Sequence, residues 1–191
     1  MNSRSAVFSL LLLISVPATA QKDTTIARPS WFMTIDGGLL LARRAIESAP
    51  SIRMRQGIRY KRFALSAGVG YDSYKHWSTL PLFTGASVDF VQRPAHAFYL
   101  ELDAGYSPSW YRRKEMASTA LRDAGGHFFH PSIGYRGGVG KVQIHISAGY
   151  KVQKIEWRET QPTWGWRSSH EEVTINQKMR RLSFLIGIGL R

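Results

Sequence analysis

Residues 130–152 alternate strictly between apolar side chains and polar or small ones, and the rest of the chain repeats this pattern. From residue 142 onwards the apolar face carries Val142, Ile144, Ile146, Ala148, Tyr150 and Val152. The positions between them are Gln143, His145, Ser147, Gly149 and Lys151. Residues 129–139 alternate in the same way, and Gly140-Lys141 stands between the two halves. A period of two predicts two β-strands joined by a tight turn.

The same alternation recurs from residue 31 to the end of the chain. It predicts strands at residues 31–42, 52–60, 63–72, 80–90, 98–106, 129–139, 142–152 and 180–190. The connections are short at 61–62, 91–97 and 140–141, and longer at 43–51, 72–79, 107–127 and 156–178. Short turns on one side and long loops on the other are typical of outer-membrane barrels, whose long loops face outside. The chain is therefore predicted to be all-β, an eight-stranded antiparallel transmembrane up-and-down β-barrel.

The composition of the polar face separates two kinds of barrel. A soluble eight-stranded barrel of lipocalin type would show the same period with its apolar face inward. Its outer surface should then be rich in Lys, Glu and Thr, whereas the polar face here is mainly Gly, Ser and Ala, which suits a narrow lumen. Tyrosines near the predicted strand ends match the aromatic girdles of membrane proteins: Tyr60, Tyr71, Tyr106, Tyr135 and Tyr150. The pattern favours the membrane barrel, with the soluble barrel as the alternative.

The first twenty residues have the features of an export signal. Arg4 is followed by an apolar run at 7–16 and by the small-residue site Ala18-Thr19-Ala20, which is the order of a cleavable secretory signal peptide. We therefore predict a signal peptide at 1–20, a periplasmic lead-in at 21–30 and an outer-membrane barrel at 31–191. No later apolar run has the length of a membrane helix, so a membrane location requires a closed barrel.

The chain is strongly basic and contains no cysteine. Its net charge is +13, or +12 without Arg4 (25 basic residues minus 13 acidic ones). Such a balance often indicates nucleic-acid binding, but export excludes that partner and favours anionic envelope components such as lipopolysaccharide phosphates. The lack of cysteine excludes disulfides and thiolate sites. We expect a monomer whose external ligand the sequence does not name.

Three segments carry a resemblance to a known class of protein. They are residues 81–90 (PLFTGASVDF), 130–152 (HPSIGYRGGVGKVQIHISAGYKV) and 181–190 (RLSFLIGIGL). In their strand texture they resemble small gram-negative outer-membrane β-barrel domain proteins of the eight-stranded, OmpA/OmpX-like architecture. The resemblance extends over about residues 31–191. It implies an outer-membrane location and an eight-stranded meander, and it brings no shared active site.

Charged residues on the predicted lumen face have two interpretations. Arg53, Arg55 and Arg59 share one strand, and Glu101 and Asp103 share another. Asp72, Asp89 and Arg136 lie on the same face. Residues two apart on a strand point the same way, so the two carboxylates of the 98–106 strand could form an acid/base pair. We favour ion pairing across the lumen, because an unpartnered buried charge is very costly.

His130 and Ser132 are the candidate catalytic residues. Lipid-A deacylase barrels use a His, a Ser and a carboxylate, and they resemble this chain in size and topology. Here Ile133 follows Ser132 where that family has Asn, and residues 141–155 contain no Asp or Glu. Both residues also fall on the predicted lumen face, away from a lipid substrate. We therefore name no catalytic residue and keep a lipid-modifying hydrolase as the alternative function.

Metal and cofactor motifs are not supported. His127 and His130 lie three apart, which puts them on opposite faces of a strand. The glycines of 134–140 are not followed by Lys-Ser/Thr and a helix, so a phosphate-binding loop is not indicated. We predict no cofactor and no metal.

The longest predicted loops, 107–127 and 156–178, mix aromatic and basic residues. The first contains Trp110, Tyr111, Arg112, Arg113, Lys114 and Arg122. The second contains Trp157, Arg158, Trp164, Trp166, Arg167, Glu171 and Glu172. Such composition fits a recognition surface or a contact with anionic headgroups. The leading function is therefore a non-enzymatic barrel with a structural or surface-binding role.

Overall fold

The computed structural model describes residues 28–42, 48–111, 122–162 and 170–191. The strands are β1 (Ser30–Leu41), β2 (Ala49–Tyr60), β3 (Phe63–Ser73), β4 (Trp77–Thr79), β5 (Leu82–Gln92), β6 (His96–Tyr111), β7 (Arg122–Val139), β8 (Val142–Pro162) and β9 (His170–Leu190). The predicted signal peptide and most of the lead-in lie outside these residues and remain predictions. No helix in the described part of the chain is long and apolar enough to cross a membrane.

The strands form one closed antiparallel barrel. Strands that follow each other in the chain pair, except β4 with β5, and β1 pairs with β9 to close the ring. The short β4 and the longer β5 together make one barrel strand between β3 and β6, interrupted at Leu80-Pro81. Proline has no N–H to donate to the ladder, but its carbonyl accepts a bond from the Gly70 N–H at 2.8 Å. The barrel therefore has eight strands, which confirms the predicted fold class.

Two of the short turns depend on a left-handed backbone. Lys61 has a φ of 53° and Gly140 a φ of 68°, the region that tight hairpin turns require. They lie in the turns β2–β3 and β7–β8, where the sequence predicts them. The third short connection is residues 93–95, between β5 and β6. These turns share one end of the barrel, which we call the short-turn end.

The two faces of the strands separate as the alternation predicts. Ile144 and Ile186 are 54% and 60% exposed on the outside, whereas His145 and Ser147 are buried in the lumen. The five tyrosines predicted for the girdles are exposed, and Trp31, Phe63, Phe90, Phe98 and Trp110 join them on the outer surface. Gly, Ser and Ala line much of the interior, so the soluble alternative, with its apolar side inward, is not the arrangement found.

The long predicted loops are mostly strand, which corrects the sequence-based boundaries. Strand β6 continues to residue 111 and β7 begins at 122, so only 112–121 remain of the predicted loop 107–127. Strands β8 and β9 have 21 residues each and are paired from Val142↔Leu190 to Pro162↔His170. The error has a physical cause: beyond the membrane the outer face is charged, so the apolar alternation ends although the hydrogen-bonded ladder continues.

The change of outer-face chemistry marks the edge of the apolar band on β8 and β9. Tyr150 and Leu182 are cross-strand partners and are the last exposed apolar pair on the way from the short-turn end. The nine residues 142–150, at about 3.3 Å per residue and with the usual tilt, span roughly 20–23 Å. That approaches the ~25 Å apolar height of membrane barrels. The remaining twelve residues of β8, 151–162, continue the ribbon roughly 27–31 Å further by the same measure.

Candidate functional site

The middle of the lumen contains a layer of paired charges. We call it the central charge layer; its members are Asp36, Arg53, Arg55, Glu101, Asp103 and His130. Arg53 Nη1 donates to Asp103 Oδ2 at 2.9 Å. Arg55 Nη2 donates to Asp36 Oδ2 at 3.2 Å, and its Nη1 forms an ion pair with Glu101. Ion pairing of arginines and acids across the lumen is therefore confirmed, and it engages both carboxylates of the suggested acid/base pair.

Two more ion pairs lie above and below this layer. At the end of the barrel opposite the short turns, which we call the long-strand end, Lys151 pairs with Asp72. The Asp72 carboxylate also accepts a hydrogen bond from the Ser51 hydroxyl at 2.6 Å. Towards the short-turn end, Arg136 pairs with Asp89. All five buried carboxylates of the lumen thus have a cationic partner. In a low-dielectric interior such pairing is what makes buried charges tolerable.

His130 lies between a carboxylate and a hydroxyl, but the hydroxyl belongs to Ser183. Its Nε2 is 2.7 Å from Ser183 Oγ. Its Nδ1 is 3.0 Å from Arg53 Nη1 and 3.4 Å from Asp103 Oδ2. Because a guanidinium can only donate, Nδ1 accepts from Arg53 and does not donate to the carboxylate. Among the described residues the Ser132 hydroxyl has no hydrogen-bond partner, so the structure does not join His130 and Ser132. His127, as predicted, lies on the opposite face and is exposed.

The acid–histidine–serine order resembles a nucleophilic triad, but the site is enclosed. Asp103, His130 and Ser183 are all at most 2% exposed. Two gaps in the part of the lumen that the structure describes measure about 10 Å³ each, space for about one water molecule. No acyl chain can approach the hydroxyl, so in this arrangement the three side chains form a structural hydrogen-bond network.

An apolar cap closes the lumen at the long-strand end. It consists of Leu40, Ala49, Tyr74, Trp77, Ile155 and Met179, with Tyr111, Ala124 and Trp157 packed against it. The indole rings of Trp77 and Trp157 lie 5.0 Å apart. The Tyr74 hydroxyl donates to Gln153 Oε1 at 3.1 Å, and burial together with nearby Asp72 raises the pKa of this phenol well above its usual value. The cap and the charge layer each block the lumen.

The outer face of the β8–β9 ribbon changes to charged residues directly beyond the apolar band. Val152 pairs with Arg180, and Lys154 pairs directly with Lys178. The three cationic side chains are exposed, and Glu156 and Arg158 follow on the same face of β8. Like charges directly opposite each other destabilise a sheet. This basic rim (Lys154, Lys178 and Arg180) therefore suits an anion at headgroup height.

Sequence reasoning did not name several of these residues among the interacting side chains of the lumen. Asp36, Lys151 and Ser183 lie on the polar face of their strands, and the period of two was a sufficient signal for their inward direction. Their partners come from strands distant in sequence, which the pattern does not reveal. Of the basic and aromatic residues predicted for the loops, five are in strands: Trp110, Tyr111, Arg122, Trp157 and Arg158. Arg112, Arg113, Lys114, Trp164, Trp166 and Arg167 lie outside the described residues.

Comparison with known proteins agrees with this architecture. The chain is similar to the crystal structure of Neisserial surface protein A (NspA), with a TM-score of 0.58 and 12% sequence identity, covering 85% of this chain and 98% of that one. It also matches KdgM porin at 11% identity, covering 85% of this chain and 99% of that one; the TM-score of 0.25 supports no argument. No protein-family model and no curated protein matches the chain significantly. The closed ladder, the apolar outer band and the likeness to NspA show that this chain has the fold of the small eight-stranded outer-membrane β-barrels.

Proposed function

We propose that the protein is a non-enzymatic barrel of the outer membrane that binds lipopolysaccharide phosphates through the basic rim. Outer-membrane barrels face outward with their long-loop side, which puts the rim at the outer leaflet. The observation that carries the proposal is the direct Lys154↔Lys178 pairing beside Arg180, at the edge of the apolar band. A phosphate between these side chains replaces repulsion with charge-assisted hydrogen bonds.

Fluorescent lipopolysaccharide, titrated onto the protein in uncharged detergent micelles, tests this. The double variant Lys154→Gln/Lys178→Gln should bind about 10-fold more weakly, since it loses two headgroup contacts of about 1 kcal/mol or less each. Added salt should weaken binding to the unmodified protein. Dephosphorylated lipopolysaccharide should bind the double variant and the unmodified protein with the same affinity.

The matched control removes two exposed cations of the short turns, in Arg62→Gln/Lys141→Gln. It has the same net charge as the rim variant and should bind lipopolysaccharide like the unmodified protein. An equal loss in both variants would show that only net charge matters, and would contradict a site at the rim.

The alternative function, a lipid-modifying hydrolase, has one observation in its favour: the Asp103–His130–Ser183 geometry. Incubation with lipopolysaccharide should release no acyl chains, because the serine is enclosed. Acyl release that disappears in Ser183→Ala or Ser132→Ala would establish the hydrolase and overturn the non-enzymatic proposal.

A further inference from the structure

A second cationic site lies at the opposite end of the barrel, where a polar cavity of about 270 Å³ opens among the short turns. We call it the short-turn mouth. Its basic lining residues are Arg28, Arg59, Lys61, Arg93, Arg136 and Arg191, together with His96. None of the described residues that line it is Asp or Glu. The cavity therefore has a large excess of positive charge in a small volume.

Arg59 distinguishes this mouth from an ordinary basic surface. It is only 6% exposed, yet it has no carboxylate partner among the described residues, and its Nε has no hydrogen-bond partner. Its guanidinium lies over the Phe32 ring at 4.9 Å. Neighbouring Arg136, also buried in this lining, is paired with Asp89. A buried, unpaired guanidinium is costly unless a ligand supplies the missing charge.

The walls of the mouth are held in place by main-chain hydrogen bonds. In the turn that follows β5, the Arg93 N–H donates to the His96 carbonyl at 2.8 Å. The Gly138 N–H donates to the Ala95 carbonyl at 3.0 Å, and the Arg191 N–H donates to the Lys141 carbonyl at 2.9 Å. The backbone that carries the cations is thus fixed before any ligand binds, which lowers the entropic cost of binding.

We propose that the short-turn mouth binds a small phosphate-bearing anion with at least two negative charges, such as a diphosphate group. Guanidinium groups match phosphate oxygens in fork geometry, and several of them around a small cavity call for a compact ligand of high charge. The mouth opens along the barrel axis, so the ligand enters from water. In outer-membrane barrels that side is the periplasm, which separates this site from the basic rim.

The test uses the mature protein in uncharged detergent micelles and inorganic pyrophosphate as the probe, measured by titration calorimetry. Pyrophosphate should bind with one site per barrel. Arg59→Gln and Arg93→Gln should each weaken it about 10-fold or more, the loss expected of one charge-assisted contact of about 1.5–3 kcal/mol. The rim variant Lys154→Gln/Lys178→Gln removes two cations at the other end and should bind pyrophosphate like the unmodified protein.

Three further ligands make the result decisive. Citrate, a carboxylate anion of similar charge, should bind at least 10-fold more weakly; equal binding would overturn the assignment to phosphate. Muramyl peptide that binds at the mouth in preference to pyrophosphate would assign the site to a cell-wall carboxylate instead. Dihexanoyl phosphatidic acid below its micellar concentration should bind no better than pyrophosphate, and tighter binding would replace a soluble ligand with a lipid headgroup. Absence of pyrophosphate binding, or binding unchanged by Arg59→Gln, would also overturn the proposal.

Discussion

The middle of the lumen and the short-turn mouth both contain buried arginines, but carboxylates balance the positive charge only in the middle. In the middle, Arg53 and Arg55 face Asp36, Glu101 and Asp103 within salt-bridge distance. At the mouth, six cationic side chains meet in a cavity with no acidic lining residue among those described. The two regions lie along the same barrel axis and share the same strands, so fold alone does not account for the difference.

The difference separates side chains that hold the barrel together from side chains free to bind something else. A paired buried charge is strongly destabilising when its partner is removed. An unpaired cation at the mouth faces other cations, so its removal relieves repulsion and should be tolerated. Stability should therefore depend on the central charge layer and anion binding on the mouth, and mutations in the two regions should affect different measurements.

Removal of Asp103 should have the largest effect on stability. Asp103→Ala leaves Arg53 and His130 buried without the carboxylate they share, and we expect the free energy of unfolding to fall by about 3–5 kcal/mol. Urea titration of the protein in lipid vesicles, followed by heat-dependent gel mobility, measures this.

Arg59→Gln is the matched control, because it also alters one buried charge on the lumen face. It should change the free energy of unfolding by about 1 kcal/mol or less, since no ion pair is lost and repulsion with Arg136 is relieved. Equal losses in the two variants would show that the mouth is as structural as the middle.

The sequence predicts much of the lumen lining, because a strand period of two fixes which side chains share a face. The arginines of β2 and the acids of β6 were placed in the lumen and expected to pair, and they do. The pattern could not show that Ser183, rather than Ser132, meets His130, because that depends on the stagger of strands far apart in sequence. Arg59 and Arg136 were placed on the lumen face, but the mouth itself was missed, because its other cations come from turns and strand ends that the alternation does not relate.

Two neighbouring residues of β8 can test whether the effect of an added charge depends on which face of the strand carries it. Ile144 and Gln143 are neighbours on β8, and only Gln143 lines the mouth, whereas Ile144 is exposed on the apolar face. Ile144→Arg should lower the free energy of unfolding by about 1–3 kcal/mol, because residue 144 lies between the midplane of the apolar band, where arginine costs most, and its short-turn edge. Gln143→Arg adds the same charge to a water-filled opening and should have an effect of about 1 kcal/mol or less. If both variants unfold alike, the assignment of the two faces is wrong.

The last prediction concerns ionic current through the barrel, which we expect to be close to zero. The mouth is open to water, but beyond it the lumen is closed twice, by the central charge layer and by the apolar cap. Its gaps of about 10 Å³ hold about one water molecule each, too little for a continuous path. Planar-bilayer recordings should therefore show no stable conductance. Trp77→Ala, which removes a ring from the cap, should also stay closed, because the charge layer does not depend on the cap. A stable current in the unmodified protein would contradict the closed lumen, and a current only in Trp77→Ala would show that the cap is the true barrier and that the paired middle is permeable.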